Sequence, residues 1–214
     1  MNSKKESGGD AKSNKLLFKQ NITFSKGVTK IESLPMETVP EVAFFGRSNV
    51  GKSSLLNSIT NKSKLAYTSK SPGRTRELNF FSLNMNSKTL INIVDMPGYG
   101  FAKASKGQIK EWTNLSDLYL KTRKNLRRVF LLIDSRRKIM PIDNEIMDVM
   151  DDFAVSYQIV LTKTDKILKV ENLAELVLKE VEKRKAIFPR VLVTSSKSKI
   201  GIGEIREEII SLIN

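Results

Sequence analysis

The chain contains no histidine and no cysteine. Those absences exclude imidazole general bases, Ser-His-Asp triads, thiol nucleophiles, disulfides and zinc held by His or Cys. Any metal must be a hard ion held by oxygen, and catalysis must draw on hydroxyls, carboxylates, Lys, Arg or backbone amides. Long apolar runs are missing too: the longest, at 129–133, falls far short of the ~18 residues that a membrane span needs. Near the N-terminus only Leu16, Leu17 and Phe18 interrupt a polar, basic stretch, too little for a secretory apolar segment. Glu6 and Asp10 argue against a transit peptide. A soluble, cytoplasmic protein is expected, with residues 1–21 as a disordered basic arm. Acidic residues are scarce: 23 Asp and Glu stand against 37 Lys and Arg, a net charge of +14. That excess favours a polyanionic partner.

What is present is an ordinary globular balance, 40% hydrophobic and 28% charged over 214 residues, enough for one large domain with a core. From residue 41 onwards short apolar runs alternate with helical patterns, the mark of βαβ units. Strands are expected at 41–45, 78–83, 89–94, 129–133, 157–161 and 191–193. Helices are expected at 52–59, 109–122, 144–153, 173–186 and 204–213. The four residues Asn84 to Ser87 make a turn short enough for a hairpin, so the α/β sheet is six-stranded and mixed, with one antiparallel strand and about five helices on its two faces. The stretches 60–77 and 96–108 fall outside the pattern and read as long functional loops.

Gly46-Arg47-Ser48-Asn49-Val50-Gly51-Lys52-Ser53, followed by Ser54, matches G-x-x-x-x-G-K-S/T between a strand and a helix. The glycines let successive N–H groups turn inward, and the helix N-terminus adds its positive end to the same anion site. Lys52 reaches the terminal phosphates and the Ser53 hydroxyl ligates Mg²⁺. A second piece, Asp95-Met96-Pro97-Gly98, follows a strand. Asp95 faces the metal shell, through water, and Gly98 brings its N–H to the γ-phosphate.

The base is chosen at Thr162-Lys163-Thr164-Asp165, an N/T-K-x-D pattern after a strand. A carboxylate at Asp165 accepts from guanine N1–H and the 2-amino group, whereas adenine has no N1–H; each unmade buried bond costs about 1–3 kcal/mol. The Lys163 stem covers the base face. Thr194-Ser195-Ser196 follows the last strand and offers backbone N–H groups to guanine O6.

With these residues in place the chain resembles the TRAFAC-class GTPases, and closely the EngB (YihA/YsxC) family of small bacterial GTPases, over residues 22–214. The specific extensions are Leu-Pro-x-x-x-x-Pro-Glu-Val-Ala-Phe-Phe-Gly-Arg-Ser-Asn-Val-Gly-Lys-Ser from Leu34, Ser71-Pro72-Gly73-Arg74-Thr75, and Asp95-Met96-Pro97-Gly98-Tyr99-Gly100. The resemblance implies a Ras-like domain and a slow GTP-hydrolysing switch in large ribosomal subunit assembly, needed for normal cell division and septation. It places Gly73, Arg74 and Thr75 in the first switch, with Thr75 ligating Mg²⁺; sequence alone leaves Thr68 eligible. Tyr99 stands where many GTPases carry a water-positioning Gln, so unassisted turnover is expected to be no faster than about 10⁻³ per second. Asn49 resembles the P-loop Asn of K⁺-stimulated relatives. The competing reading is an Asn that simply tolerates the loop's backbone angles.

Residues 103–138 carry eleven Lys and Arg against three acids, Glu111, Asp117 and Asp134. This basic surface directly follows the second switch motif and is the expected contact with ribosomal RNA. Lys183, Arg184, Lys185 and Arg190 extend it. Trp112 and Tyr119 lie inside the stretch, either stacking on bases or sharing a buried helix face; Trp112 is assigned to the core. A monomer binding GTP and GDP is expected. A different class, a constitutive RNA-binding protein with nucleotide as a structural ligand, is favoured by the missing Gln.

Overall fold

A computed structural model describes residues 7–62, 77–100, 115–168 and 170–213, with side chains from residue 14 onwards. In chain order its elements are α1 (Ser7–Gln20), β1 (Ile22–Val28), β2 (Glu41–Gly46), α2 (Lys52–Thr60), β3 (Leu78–Met85), β4 (Lys88–Asp95), α3 (115–122), β5 (Leu126–Asp134), α4 (Pro141–Asp152), β6 (Tyr157–Thr162), α5 (Leu173–Val181), β7 (Leu192–Val193) and α6 (Ile202–Ser211).

One sheet runs in the order β1-β3-β4-β2-β5-β6-β7. Only β3 opposes its neighbours; the remaining adjacent pairs are parallel. Strand β2 is buried along its whole length, as a near-continuous apolar run in a parallel sheet must be. Its side chains alternate between two cores. Val42 and Phe44 join Leu55, Ile59, Ile205 and Ile209 of α2 and α6. Ala43 and Phe45 join Tyr119, Met147 and Met150 of α3 and α4. The chain leaves β2 for β4 on one side and returns to β5 on the other, so the crevice where ligands bind in open α/β sheets lies at the C-terminal end of β2.

The β3–β4 turn is tighter than its sequence suggests. Met85 pairs with Lys88, and Asn86 (φ 50°) and Ser87 (φ 62°) are both left-handed, the geometry of a type I′ hairpin. Helix α4 starts earlier than the expected 144 because Pro141 takes its first helical position, where a missing N–H costs nothing.

Two elements go beyond the expected six strands and five helices. Strand β1 is a seventh, at the sheet edge, with Ile22 and Val28 buried and the residues between them largely exposed. Its polar middle and a bulge between Phe24 and Lys26 hide the alternation that marks a strand. The arm expected to be disordered forms α1 over Ser7–Gln20. Phe18 anchors it, fully buried in the core with the α6 residues Ile205 and Ile209, and the Arg206 guanidinium sits 6.0 Å from its ring. Among the described residues no helix is long and apolar enough to cross a membrane.

Candidate functional site

Strand β2 ends at Gly46, where a Cβ would lie 2.9 Å from the Leu132 Cβ and 3.0 Å from the Leu132 carbonyl oxygen. Any larger residue would push β5 away from the loop that begins there. Asn49 (φ 64°) and Gly51 (φ 106°) are left-handed, and between them the Val50 N–H donates to the Arg47 carbonyl at 3.1 Å. No side chain caps α2. With Ser48 N–H given to the Tyr99 carbonyl at 3.1 Å, the N–H groups of Asn49, Gly51, Lys52 and Ser53 have no acceptor among the described residues. Such a coil of open donors at a helix N-terminus is an anion cradle.

The loop after β4 is stitched to this cradle. Tyr99 N–H donates to the Gly46 carbonyl at 3.2 Å, and a Cβ on Gly98 would come within 3.2 Å of the Ser48 hydroxyl. The Lys52 ammonium contacts the Asp95 carboxylate, both side chains at 10% exposure or less. The two residues assigned to phosphate and metal thus share one small volume. Tyr99 turns elsewhere: its hydroxyl donates to Asp143 at 2.7 Å and its ring packs edge-on against Phe45. Burial, with the Asp143 carboxylate adding to it, pushes its pKa far up. Gly73, Arg74 and Thr75, like Thr68, Arg76 and Trp112, lie outside the described residues.

On the other side of the cradle a cleft of about 500 Å³ is lined by Gly51, Ser54, Thr162, Lys163, Asp165 and Ser196, among others. The buried Thr162 hydroxyl donates to the Val50 carbonyl at 2.7 Å, which ties the base-reading strand to the phosphate loop. Lys163 bridges the Asn49 carbonyl at 2.6 Å and Asp134 at 2.9 Å, its stem passing over Gly51. Sequence reasoning did not single out Asp134; the signal available was an acid ending a buried parallel strand. Burial raises its pKa, but hydrogen bonds from Arg136 and Lys163 outweigh that and hold it well below the usual carboxylate range.

The Ser195 hydroxyl donates to Asp165 at 2.7 Å and, as the leading cause, lowers that carboxyl's pKa. Asp165 is therefore an acceptor at neutral pH, which suits a guanine N–H pair. The expected backbone donors for O6 are fewer than three. Thr194 N–H is held by the Leu161 carbonyl at 2.7 Å and Ser195 N–H by the Ile200 carbonyl at 3.1 Å. Ser196 N–H remains, because pairing with β6 takes the first and the turn closing on Ile200 takes the second.

A family model described as "50S ribosome-binding GTPase" matches residues 41–163. A probable GTP-binding protein EngB from Hyphomonas neptunium is 48% identical, covering 92% of this chain and 90% of the relative. One from Mesorhizobium japonicum is also 48% identical, over 92% and 97%. The chain belongs to the EngB family of GTP-binding proteins. Like the family it has a GTPase domain, which cleaves GTP to GDP and phosphate. The solved structure of a probable GTP-binding protein EngB superposes with TM-score 0.64 at 24% identity, over 81% of this chain and 98% of that one. An Era structure holding MgGDPNP and a piece of 16S ribosomal RNA gives 0.67 at 24% identity, over 81% and 56%. Both show the same Ras-like fold.

In this EngB chain part of the expected basic surface is tied to carboxylates within the fold. Arg123 is buried and forks onto Glu41 at 2.9 and 2.6 Å. Arg128 is buried against Glu208 at 2.7 Å and stacks 3.6 Å over Phe188. Arg184 is held by Asp148, Asp151 and Asn144, and Arg190 by Glu204 and Glu208. Tyr119 is fully buried and donates to Glu41, so it stacks on no base. Lys121, Lys124, Arg127, Arg136, Arg137 and Lys138 are exposed; Lys103, Lys106 and Lys110 lie outside the described residues.

Asp165→Asn is expected to lower guanine-nucleotide affinity about a hundredfold, from one or two lost charged hydrogen bonds. Affinity for xanthosine triphosphate should rise, since its C2 carbonyl accepts from the new amide. Competition titration of the two nucleotides checks this, and selectivity that stays with guanine would assign the reading of the base to another group.

Proposed function

We propose that this GTPase is a slow, monomeric, cytoplasmic switch that binds the large ribosomal subunit during its assembly through exposed cations of the 103–138 surface, and that normal cell division and septation depend on it. One observation carries the nucleotide part: the uncapped, inward-turned loop, the Lys52–Asp95 contact and the ionised Asp165 converge at one end of the sheet. The ribosomal part is supported by the description of the matching family model and by net charge +14.

The donor set fits Mg²⁺. It is oxygen only, and among the described residues no cluster of three or more acids gathers, as suits an ion whose shell is completed by phosphate oxygens and water. Ser53 and Asp95, the latter through water, would hold it together with Thr75. Bound there, Mg²⁺ neutralises charge on the β- and γ-phosphate oxygens. The chain's own part is to position: open amides cradle the phosphates, Lys52 adds a cation, and Gly98 admits the γ-phosphate. Tyr99, engaged by Asp143, positions no water, which supports slow turnover.

K⁺ beside the phosphates would supply the missing charge, with the exposed Asn49 side chain offering its oxygen. The left-handed φ of Asn49 is reason enough for its residue type, so function has to decide between the two readings. GTP turnover is expected to rise several-fold in KCl over NaCl at equal ionic strength, and to lose that difference in Asn49→Ala. Equal rates in both salts reject K⁺ and turn attention to Arg74 and Arg76.

Cosedimentation with large ribosomal subunits tests the switch. Stronger binding with a non-hydrolysable GTP analogue than with GDP is expected. Equal binding leaves a constitutive RNA-binding protein, and absence of binding rejects the ribosomal partner.

A further inference from the structure

Beside the phosphate loop, on the side away from the base cleft, lies a second cleft of about 270 Å³. Its walls are the loop residues Arg47 to Val50, the end of β5 at Asp134, the turn carrying Arg136, Arg137 and Lys138, and the start of α4 at Met140 and Asp143, with Lys163 at the base. Five cations thus meet two carboxylates.

Both carboxylates are already engaged. Asp134 accepts Arg136 through both oxygens, at 2.9 and 2.6 Å, and Lys163 at 2.9 Å. Asp143 accepts the Tyr99 hydroxyl at 2.7 Å and the Met140 N–H at 2.9 Å. The side chains of Arg47, Arg137 and Lys138 have no acceptor among the described residues. The Arg137 backbone is pinned to the Asp134 carbonyl at 2.8 Å, so the turn presents these cations from a fixed base. Elsewhere Arg123, Arg128, Arg184 and Arg190 are tied to carboxylates. Among the described cations without a carboxylate, those at Arg47, Arg137 and Lys138 line a concavity sized for one or two phosphate groups. Arginine's planar fork suits phosphate oxygens.

We propose that this cleft docks a backbone phosphate of ribosomal RNA, held by Arg47, Arg137 and Lys138. The inference rests on the reading above that ribosomal RNA is the partner. It adds a link to the nucleotide. The cleft shares Arg47 to Val50 with the phosphate cradle, and Asp143 holds the residue that follows Gly98. A phosphate bound here and a γ-phosphate bound in the cradle press on the same two loops. Their affinities are then coupled, and by linkage the coupling is reciprocal.

The test uses the full chain loaded with a non-hydrolysable GTP analogue. Its binding to protein-free large-subunit RNA and to whole large subunits is measured across a KCl series. Arg137→Ala/Lys138→Ala is compared with Lys26→Ala/Lys30→Ala, a pair of equal charge on exposed lysines in and just after the edge strand β1, and GDP affinity of each variant reports its folding. The cleft pair is expected to bind both targets about tenfold more weakly at 0.1 M salt, with a log–log salt slope shallower by about 2. The control pair should follow the wild type. Wild-type binding by the cleft pair, or equal losses in both pairs, overturns the cleft assignment and leaves ribosomal association standing. A loss seen with subunits but not with bare RNA overturns it in favour of a ribosomal protein as the contact. If the wild type binds neither target, the ribosomal reading itself fails.

Discussion

Lys52→Met, which removes the charge and keeps the apolar stem, is expected to weaken binding of GDP and GTP by about a thousandfold. Hydrogen bonds to charged groups contribute about 1.5–3 kcal/mol each, and an ammonium over the terminal phosphates makes at least two. Among the described residues the site offers no substitute. Lys163, whose stem lies over Gly51, is held by Asn49 and Asp134, and the Lys52 side chain is only 10% exposed against Asp95. Arginine should not rescue the variant, because its longer planar group does not fit a position shaped for a compact ammonium. Isothermal titration with both nucleotides measures the loss. Affinity within tenfold of wild type would remove Lys52 from the phosphate site.

The second large effect lies at the end of β2 opposite the phosphate loop. Glu41 is fully buried at the start of β2 and accepts Arg123 through both oxygens and Tyr119 at 2.9 Å. Deleting Glu41 leaves the buried guanidinium with only the partly exposed Glu37 at 3.6 Å, so the cost is at the lower end of the range for breaking a buried pair, about 3 kcal/mol. Glu41→Ala should therefore lower the melting temperature by about 10 °C. Glu41→Gln, which keeps an acceptor for Tyr119, should fall between the two. An Ala variant that melts with the wild type would show that α3 is held to β2 by apolar packing alone. The same network bears on the basic surface: reversing Arg123 or Arg128 to Glu would damage the core before it touched any RNA contact, so only the exposed cations are fit probes of binding.

Gly46 to Ser53, Asp95 to Gly98 and Thr162 to Asp165 were legible as chemistry because consecutive residues supply both the turn and the donors, and because each follows an apolar strand. Local sequence carries that information, and the parallel sheet brings the strand ends together. The short apolar run at 41–45 likewise announced a strand. Strand β1 and helix α1 were not legible. Among the described side chains each fully buries only one or two, Ile22 and Val28 in one and Phe18 in the other, and the ladder and core that receive them lie in β3, α2 and α6, too far along the chain for any periodicity to register.

Which cations face solvent was also undecidable from sequence, since Arg123 and Arg127 look alike until Glu41 is placed beside the first. The Thr194 and Ser195 amides looked available until Leu161 and Ile200 took them. Tyr99 was legible as the absence of Gln, but its hydrogen bond to Asp143 needed the turn of the chain into α4. The sequence by itself determined the nucleotide chemistry, because a phosphate loop and a guanine-reading carboxylate are built from neighbours in the chain. Only the tertiary structure decided where positive charge remains uncompensated, because a charge is free or neutralised according to partners that folding brings from 29 to 82 residues away.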